Sequence, residues 1–359
     1  MNYRHAAILA EKSLTGTGTE TIDLNVKDIV SRITLAFRRV KSYQYMADHG
    51  YADITKIELV DGSDVLHSLS GGENQALCIY DRHCGSMNNG EHMTTVDEYD
   101  LFGIDFGRFL YDPLLAFDPK KFSNPQLKVT YDVDVSDTGV TTGYLEVWGE
   151  LFDEKVVSPM GFLMSKEHWS GAKPTSGYEY VDLPTDYPIR KMLIRAYVKT
   201  TEPWYNIGSV RIDEDNEKRI PLDWSDMEDY TRVMRSVWTP VEELFATQVQ
   251  AASASWYVTP TDYFFAMAGI EAGGAPGIYL NDTSMKGGKL TLSSATNRQI
   301  HAIVRGFLPN HCFEFPFGLQ DDPSDWYDVT KIGSVRLRLG AGTGGATSTG
   351  VVLQQLRKY

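Results

Sequence analysis

Ile54-Thr-Lys-Ile-Glu-Leu-Val-Asp-Gly-Ser-Asp-Val-Leu-His-Ser-Leu-Ser70, with the segment that follows it, decides the fold. Ile54, Ile57 and Leu59 are apolar in an otherwise polar run, which reads as a strand with one buried face. Asp61-Gly62 is a hairpin dipeptide, because glycine tolerates positive φ. Val65 to Leu69 reads as the return strand. Ser70 and Glu73 have capping-box spacing, so a helix starts there, with Ala76, Leu77 and Tyr80 on its apolar side.

The chain repeats this unit. Ile207-Gly-Ser-Val-Arg-Ile-Asp-Glu-Asp-Asn-Glu-Lys-Arg-Ile-Pro-Leu-Asp223 aligns with it without a gap. Ile54 falls on Ile207, Ile57 on Val210, Leu59 on Ile212, Leu69 on Leu222 and the cap Ser70 on Asp223. A second helix is expected from Trp224 to about Trp238. Met192–Val198 corresponds to the strand ending at Phe37. Further on, Phe106-Gly107 corresponds to Phe317-Gly318, and Asp118-Pro119-x-x-Phe122 to Asp322-Pro323-x-x-Trp326. Leu127, Val129 and Tyr131 correspond to Val335, Leu337 and Leu339. The closing strands Gly143–Val147 and Gly350–Gln354 also match. Similarities in one order along the chain point to a duplicated domain.

Between these landmarks, Ile22–Val26, Ile33–Phe37 and Tyr144–Phe152 read as further strands. Residues 84–99 read as a polar loop. Residues 1–19 are expected to form an N-terminal arm, with a short helix over Tyr3–Leu14 and a flexible Thr15–Thr19 linker. Repeated Pro and Gly over residues 153–189 place the junction near 170, dividing the chain into residues 20–170 and 171–359. The second half is longer between its helix and Phe317-Gly318. Its extra strands are expected at Tyr263–Met267, Lys289–Leu292 and Ile300–Phe307.

A chain of 359 residues supports two cores, and its 20 Tyr, 7 Trp and 31 Gly suit strands joined by turns. The formal net charge of −14 argues against a folded surface that wraps nucleic acid. Three cysteines, Cys78, Cys84 and Cys312, do not make a disulfide framework, and folding in a reducing compartment is expected. No apolar run reaches membrane-spanning length, and Ala6–Ala10 is too short for a secretory signal.

About eight short strands per half, few helices and Gly/Pro turns indicate an all-β chain: two tandem eight-stranded jelly-roll sandwiches, each with one inserted helix. On the duplicated hairpin and helix, the Phe-Gly and Asp-Pro segments, and the closing strands at Arg336–Leu339 and Val351–Leu356, the sequence resembles the double jelly-roll major capsid proteins of tailless icosahedral viruses. Bacteriophages with an internal membrane are the nearest group. The resemblance implies a homotrimer with a pseudo-hexagonal outline that tiles a virion shell, assembled in the host cytoplasm. It implies neighbouring capsomers, penton and minor capsid proteins as partners, an N-terminal arm that runs underneath toward neighbours or an internal membrane, and long loops that form towers outside, with the 239–316 insertion supplying tower or inter-subunit contacts.

No constellation carries catalysis. Glu146, Trp148 and Glu150 share a strand face, as glutamates do in some jelly-roll glycosidases. However, four residues of strand span about 13 Å, while a retaining pair stands about 5–5.5 Å apart. Cys78, His83, Cys84 and His92 do not have the spacing of a zinc knuckle. Asp213–Glu217 lacks the glycine and distal glutamate of a calcium loop and reads as a hairpin tip. The acidic cluster Asp321, Asp322, Asp325 and Asp328 reads as a solvated loop, with calcium bound between subunits as the alternative. Gly340–Gly345 has no lysine after it and is not a phosphate loop. Accordingly no catalytic, cofactor-binding or metal-ligating residue is assigned, and a structural protein rather than an enzyme is expected. The competing readings are a carbohydrate-binding or carbohydrate-active β-sandwich, weakly favoured by the Tyr and Trp content, and a minor virion or adhesin protein of similar fold.

Overall fold

Period-two alternation places Ile33, Leu35 and Phe37 on one side of a strand, and Ile57, Leu59, Leu127 and Val129 on strands that face it. All seven are buried in one core. In the computed structural model, which describes every residue except 44, 94–95, 173–174, 235–240, 250–252, 273–274, 281–285, 294–297 and 345–347, this core lies between two four-stranded layers. The strands are β1 (Tyr3–Thr15), β2 (Thr17–Asp23), β3 (Val30–Val40), β4 (Ile54–Asp61) and β5 (Asp64–Leu69). Helix α1 (Gly71–Arg82) and the short β6 (Glu91–His92) follow, then β7 (Asp97–Asp105), β8 (Pro125–Asp132) and β9 (Thr142–Phe152). The layers run β1-β9-β3-β7 and β2-β8-β4-β5.

The second half builds the same sandwich. Its elements are β10 (Gly161–Ala172), β11 (Tyr178–Leu183), β12 (Ile189–Tyr197), the one-turn α2 (Pro203–Asn206), β13 (Ile207–Glu214), β14 (Arg219–Trp224) and α3 (Met227–Met234). After an excursion come β21 (Cys312–Pro316), β22 (Val335–Ala341) and β23 (Ser348–Lys358). The order β10-β23-β12-β21 repeats β1-β9-β3-β7, and β11-β22-β13-β14 repeats β2-β8-β4-β5. A second core, with Met192, Ile194, Val210, Ile212, Leu337 and Val351, fills it.

Even the irregularities recur. The ladder slips between Val30 and Arg32 opposite Leu151 and Glu150, and again between Ile189 and Lys191 opposite Gln355 and Gln354. A second slip, Ile54 to Lys56 against β8, returns as Ile207 to Ser209 against β22. A third, Ala7 to Leu9 against β9, returns as Glu167 to Trp169 against β23. Bulges of this kind bend a sheet at fixed points, so both rolls curve at the same places.

The excursion between α3 and β21 has its own core. It comprises β15 (Val241–Val249), β16 (Ser253–Tyr257), β17 (Pro260–Ala272), β18 (Ala275–Leu280), β19 (Lys289–Ser293) and β20 (Arg298–Pro309). Five strands run β18-β17-β20-β15-β6, so the loop before β7 of the first roll lends a strand to the second roll's excursion. Leu244, Trp256, Val258, Leu290 and Val304 are buried there. The strands expected at 263–267, 289–292 and 300–307 lie within β17, β19 and β20.

The structure corrects the sequence expectations at several points. Residues 3–15 form neither a helix nor a free arm: β1 pairs antiparallel with β9 over its whole length. Position 170 falls inside the continuous strand β10. The duplicated hairpins differ by two residues at the turn, Gly62-Ser63 against Asp215–Lys218. Leu222 therefore occupies the place of His67, and Trp224 that of Leu69, because Leu59 faces His67 as Ile212 faces Leu222. The helix cap moves accordingly. Asp223 lies in β14, and Asp226 Oδ1 accepts from the amides of Glu228 and Asp229 at the start of α3. The helix is described to Met234; Trp238 lies outside the described residues.

Downstream, Leu127 and Val129 correspond to Leu337 and Leu339, since they oppose Leu59 and Ile57 as the latter oppose Ile212 and Val210. In the closing strands Val147 corresponds to Val351, opposite Leu35 and Ile194. Phe106 and Phe317 do correspond: their amides bond to Ser31 and Arg190 carbonyls at 3.2 and 2.9 Å. The partner of Phe117-Asp118 is Tyr327-Asp328, however, not Asp322-Pro323. Phe117 and Val30 exchange backbone bonds as Tyr327 and Ile189 do, and each Asp caps the following 3-10 turn. Among the described residues no helix is long and apolar enough to cross a membrane.

Candidate functional site

The hairpin and helix at 54–82 lie at the joint between the two rolls. Ser70 caps α1: its hydroxyl accepts from the Glu73 amide at 3.4 Å, and the Glu73 carboxylate accepts from the Ser70 amide at 2.9 Å. Gly62 takes φ +62° at the first of two loop positions, the place a type II′ hairpin reserves for glycine. The hairpin and cap aim α1 across the outer face of β7. There Asn74 Nδ2 and Cys78 Sγ reach the Gly103 carbonyl at 2.9 and 3.3 Å, and Gln75 Nε2 the Leu101 carbonyl at 3.0 Å.

The other side of α1 meets the second roll. Tyr80 Oη donates to the Cys312 carbonyl at 2.8 Å, and Asn310 Nδ2 to Gln75 Oε1 at 3.2 Å. Leu69 and Leu77 pack with Leu193 and Val352. At the end of the helix, Asp81 lies 2.7 Å from both Arg190 Nη1 and Lys191 Nζ, and accepts from Gln354 Nε2 at 2.9 Å. These side chains are almost fully buried. Burial alone would raise the Asp81 carboxyl; Arg190 and Lys191 outweigh it and hold the group well below the usual carboxylate range. The backbone joins here too. β5 pairs parallel with β10, His67 opposite Ser165 and Ser68 opposite Lys166, so the two rolls share one eight-stranded sheet. Arg357 of β23 ties to Asp64 of β5 at 2.9 Å.

A second buried charge cluster lies within the first roll. Arg39 is fully buried and pairs with Asp53 at 3.1 Å, Glu98 at 3.0 Å, and Asp100. Lys41, equally buried, reaches Glu98 at 3.1 Å and Asp137 at 3.6 Å. Burial lifts Asp53 to about 7 against the pull of Arg39, and lifts Asp100 as well; in Glu98 the attraction of Arg39 and Lys41 exceeds the burial cost and lowers it. Arg39 and Lys41 continue the inward series 33, 35, 37, and that continuation is the signal in the sequence.

The acidic, cysteine, histidine and glycine groups singled out in the sequence have the following surroundings among the described residues. Trp148 is 42% exposed and donates to Glu146 Oε2 at 3.2 Å. Glu150 instead faces Arg32 across the ladder, with His5 Nδ1 at 3.9 Å, and burial raises its carboxyl. The two glutamates thus have separate partners. Cys78 is buried in α1 and its thiol is pushed up to about 12 by burial. His83 ends the helix in the left-handed region, and His92 is buried against Glu98 at 3.7 Å. Among the described residues no three His, Cys, Asp or Glu side chains converge as metal ligands. Asp213–Glu217 is a hairpin tip, with Asp215 Oδ1 accepting from the Ser334 amide at 3.1 Å and Arg211 on Glu217 at 3.2 Å. Asp322, Asp325 and Asp328 accept from the amides of Ser324, Leu319 and Thr330, which makes them turn caps. Gly340 lies in β22.

No family model and no curated protein matches this sequence. Solved structures do. The major capsid protein P2 from bacteriophage PM2 superposes with a TM-score of 0.55 at 9% identity, covering 99% of this chain and 98% of that one. The STIV MCP gives 0.59 at 9% identity, covering 99% and 98%. The PBCV-1 virus capsid gives 0.50 at 11% identity, covering 99% and 94%. The chain has the double jelly-roll fold.

Proposed function

We propose that this chain is the major capsid protein of an icosahedral virus and that it acts as a homotrimer. The observation that carries this is the duplication itself, two eight-stranded rolls with matching bulges, joined through α1 and a shared sheet. Three copies of such a pair present six similar rolls, which suits a hexagonal tile. The fold shared over nearly full length with chains described as viral capsid proteins supports the reading. We assign the rolls to residues 1–152 and 161–359, with 153–160 as connector and the β15–β20 excursion as the tower. The partners are further copies in the lattice, and penton and minor capsid proteins at its vertices and seams; the location is the virion. The role is structural, and no catalytic residue is assigned.

Mass photometry and negative-stain microscopy of the concentrated protein test this. Trimers with a hexagonal outline are expected. A chain that stays monomeric at high concentration and binds oligosaccharides would sink the proposal.

A further inference from the structure

Within one chain, the edge strand β5 of the first roll is continued by β10 of the second. The duplication supplies the same two edges again, unjoined among the described residues. β14 is the counterpart of β5 and ends its sheet; β1 is the counterpart of β10 and ends its own. Their exposure differs as an open edge should. Leu66, His67, Ser68 and Leu69 are buried, while Ile220 is 43% exposed and Asp223 is exposed. An open edge offers a row of unpaired backbone groups to another chain.

We propose that β14 of one copy pairs, parallel and in register, with β1 of a second copy, Leu222 opposite His5 and Asp223 opposite Ala6. This rests on the homotrimer reading and gives it an interface. The register is fixed by internal equivalence. Leu222 stands where His67 stands, opposite Ile212 as His67 is opposite Leu59. Ala6 stands where Lys166 stands. Ala6 faces Gly149, which faces Ile33; Lys166 faces Leu353, which faces Met192. The internal pairs His67–Ser165 and Ser68–Lys166 therefore translate directly. Pro221, which lacks an N–H, takes the place of Leu66, one position before the paired residues, so its missing donor falls outside this ladder. Such a contact is heterologous, β14 to β1, leaving β14 of the second copy free to continue until a ring closes. A ring closed this way alternates covalent and non-covalent versions of one joint. Helix α3 fits the same scheme. Met227, Tyr230 and Thr231 are buried against their own roll, while Asp229, Arg232 and Val233 face outward, on the side where α1 is covered by a neighbouring roll.

The test uses the full chain carrying His5→Cys and Leu222→Cys, oxidised mildly with glutathione disulfide, beside each single variant and the wild type as background for the native cysteines. Light scattering is read on the same samples. Covalent dimers and trimers that appear only in the double variant and vanish on reduction are the expected result. Trimers by scattering with no cross-link above the single variants overturn the pairing and leave the capsid reading standing; monomers at every concentration overturn both. Hydrogen exchange on the wild type gives a second arm that needs no variant to fold. The β1 and β14 amides not bonded to β9 or β13 are expected to slow by about tenfold or more on assembly, and unchanged rates overturn the pairing.

Discussion

Asp81 and Arg190, carboxylate and guanidinium 2.7 Å apart, belong to different jelly rolls, and both are buried. Removing one member of a buried ion pair leaves the other charge without compensation, at a cost of about 3–5 kcal/mol. Asp81→Ala takes the carboxylate partner from Arg190, while Lys191 keeps Glu314. Its urea midpoint is expected to fall by a corresponding amount, and a loss below about 1 kcal/mol would show that the junction is not what holds the rolls.

The cap of α1 gives a smaller and graded effect. Ser70→Ala removes one of the two reciprocal bonds of the capping box, a loss of about 1 kcal/mol. Gly71→Ala is expected to cost more, because a Cβ there would stand 2.5 Å from the carbonyl oxygens of both Tyr51 and Ile54, and backbone cannot swing aside. Thermal unfolding of the two variants should rank them in that order.

Acid acts on this chain in two opposing ways. Burial depresses His49 and His67 to about 3 and holds His311 well below its ordinary value. Between about pH 6.5 and 3 the unfolded chain therefore binds these protons and the folded one does not, so stability falls with pH. Burial also raises Asp53 and Glu242 to about 7, and there the folded chain takes up protons first, so stability rises as pH falls from 7 towards 4. Asp53→Asn removes one of the compensating groups. Its stability relative to wild type is expected to worsen on acidification by about 1.4 kcal/mol per pH unit across that window. Urea titrations at several pH values that give parallel curves would contradict this.

The hairpin tip of the second roll holds Asp215, Asn216 and Glu217 at φ +47°, +60° and +66°. A left-handed conformation costs a side chain about 1–2 kcal/mol unless it is glycine or asparagine. Glu217→Gly should therefore stabilise by about 1 kcal/mol, even though it gives up the half-exposed contact with Arg211. A lower melting temperature would contradict this.

What the sequence disclosed depended on the kind of signal each residue carries. Ile33, Leu35, Phe37, Leu127 and Val129 announce a buried face by alternation, and Ser70 with Glu73 announces a helix start. Alternation is silent about turn length. Two extra residues at 215–218 therefore shifted Leu222 and the second cap out of their true places, although the strands themselves were found. β1 was hidden for another reason. It is an edge strand with two slips in its ladder, after Ala7 and after Leu9, so Ala6–Ala10 shows no clean period. The Arg39–Lys41 cluster is faint in the sequence because charged side chains at inward positions look like the end of a strand; its partners Glu98 and Asp100 lie on the neighbouring strand, far along the chain. The second edge, β14, became meaningful only once β5 was seen joined to β10.

The shared strand has a consequence for synthesis. Once Phe152 has left the ribosome the first roll has all its strands, but β5 is then a bare edge able to capture the wrong chain. Its partner β10 begins at Gly161, which at about 5–20 residues per second arrives within roughly a couple of seconds. β23, which must close the second roll beside β10, is made last. Translation order thus shields the internal joint almost at once, and leaves β14 and β1 open for neighbours that exist only when whole chains are present.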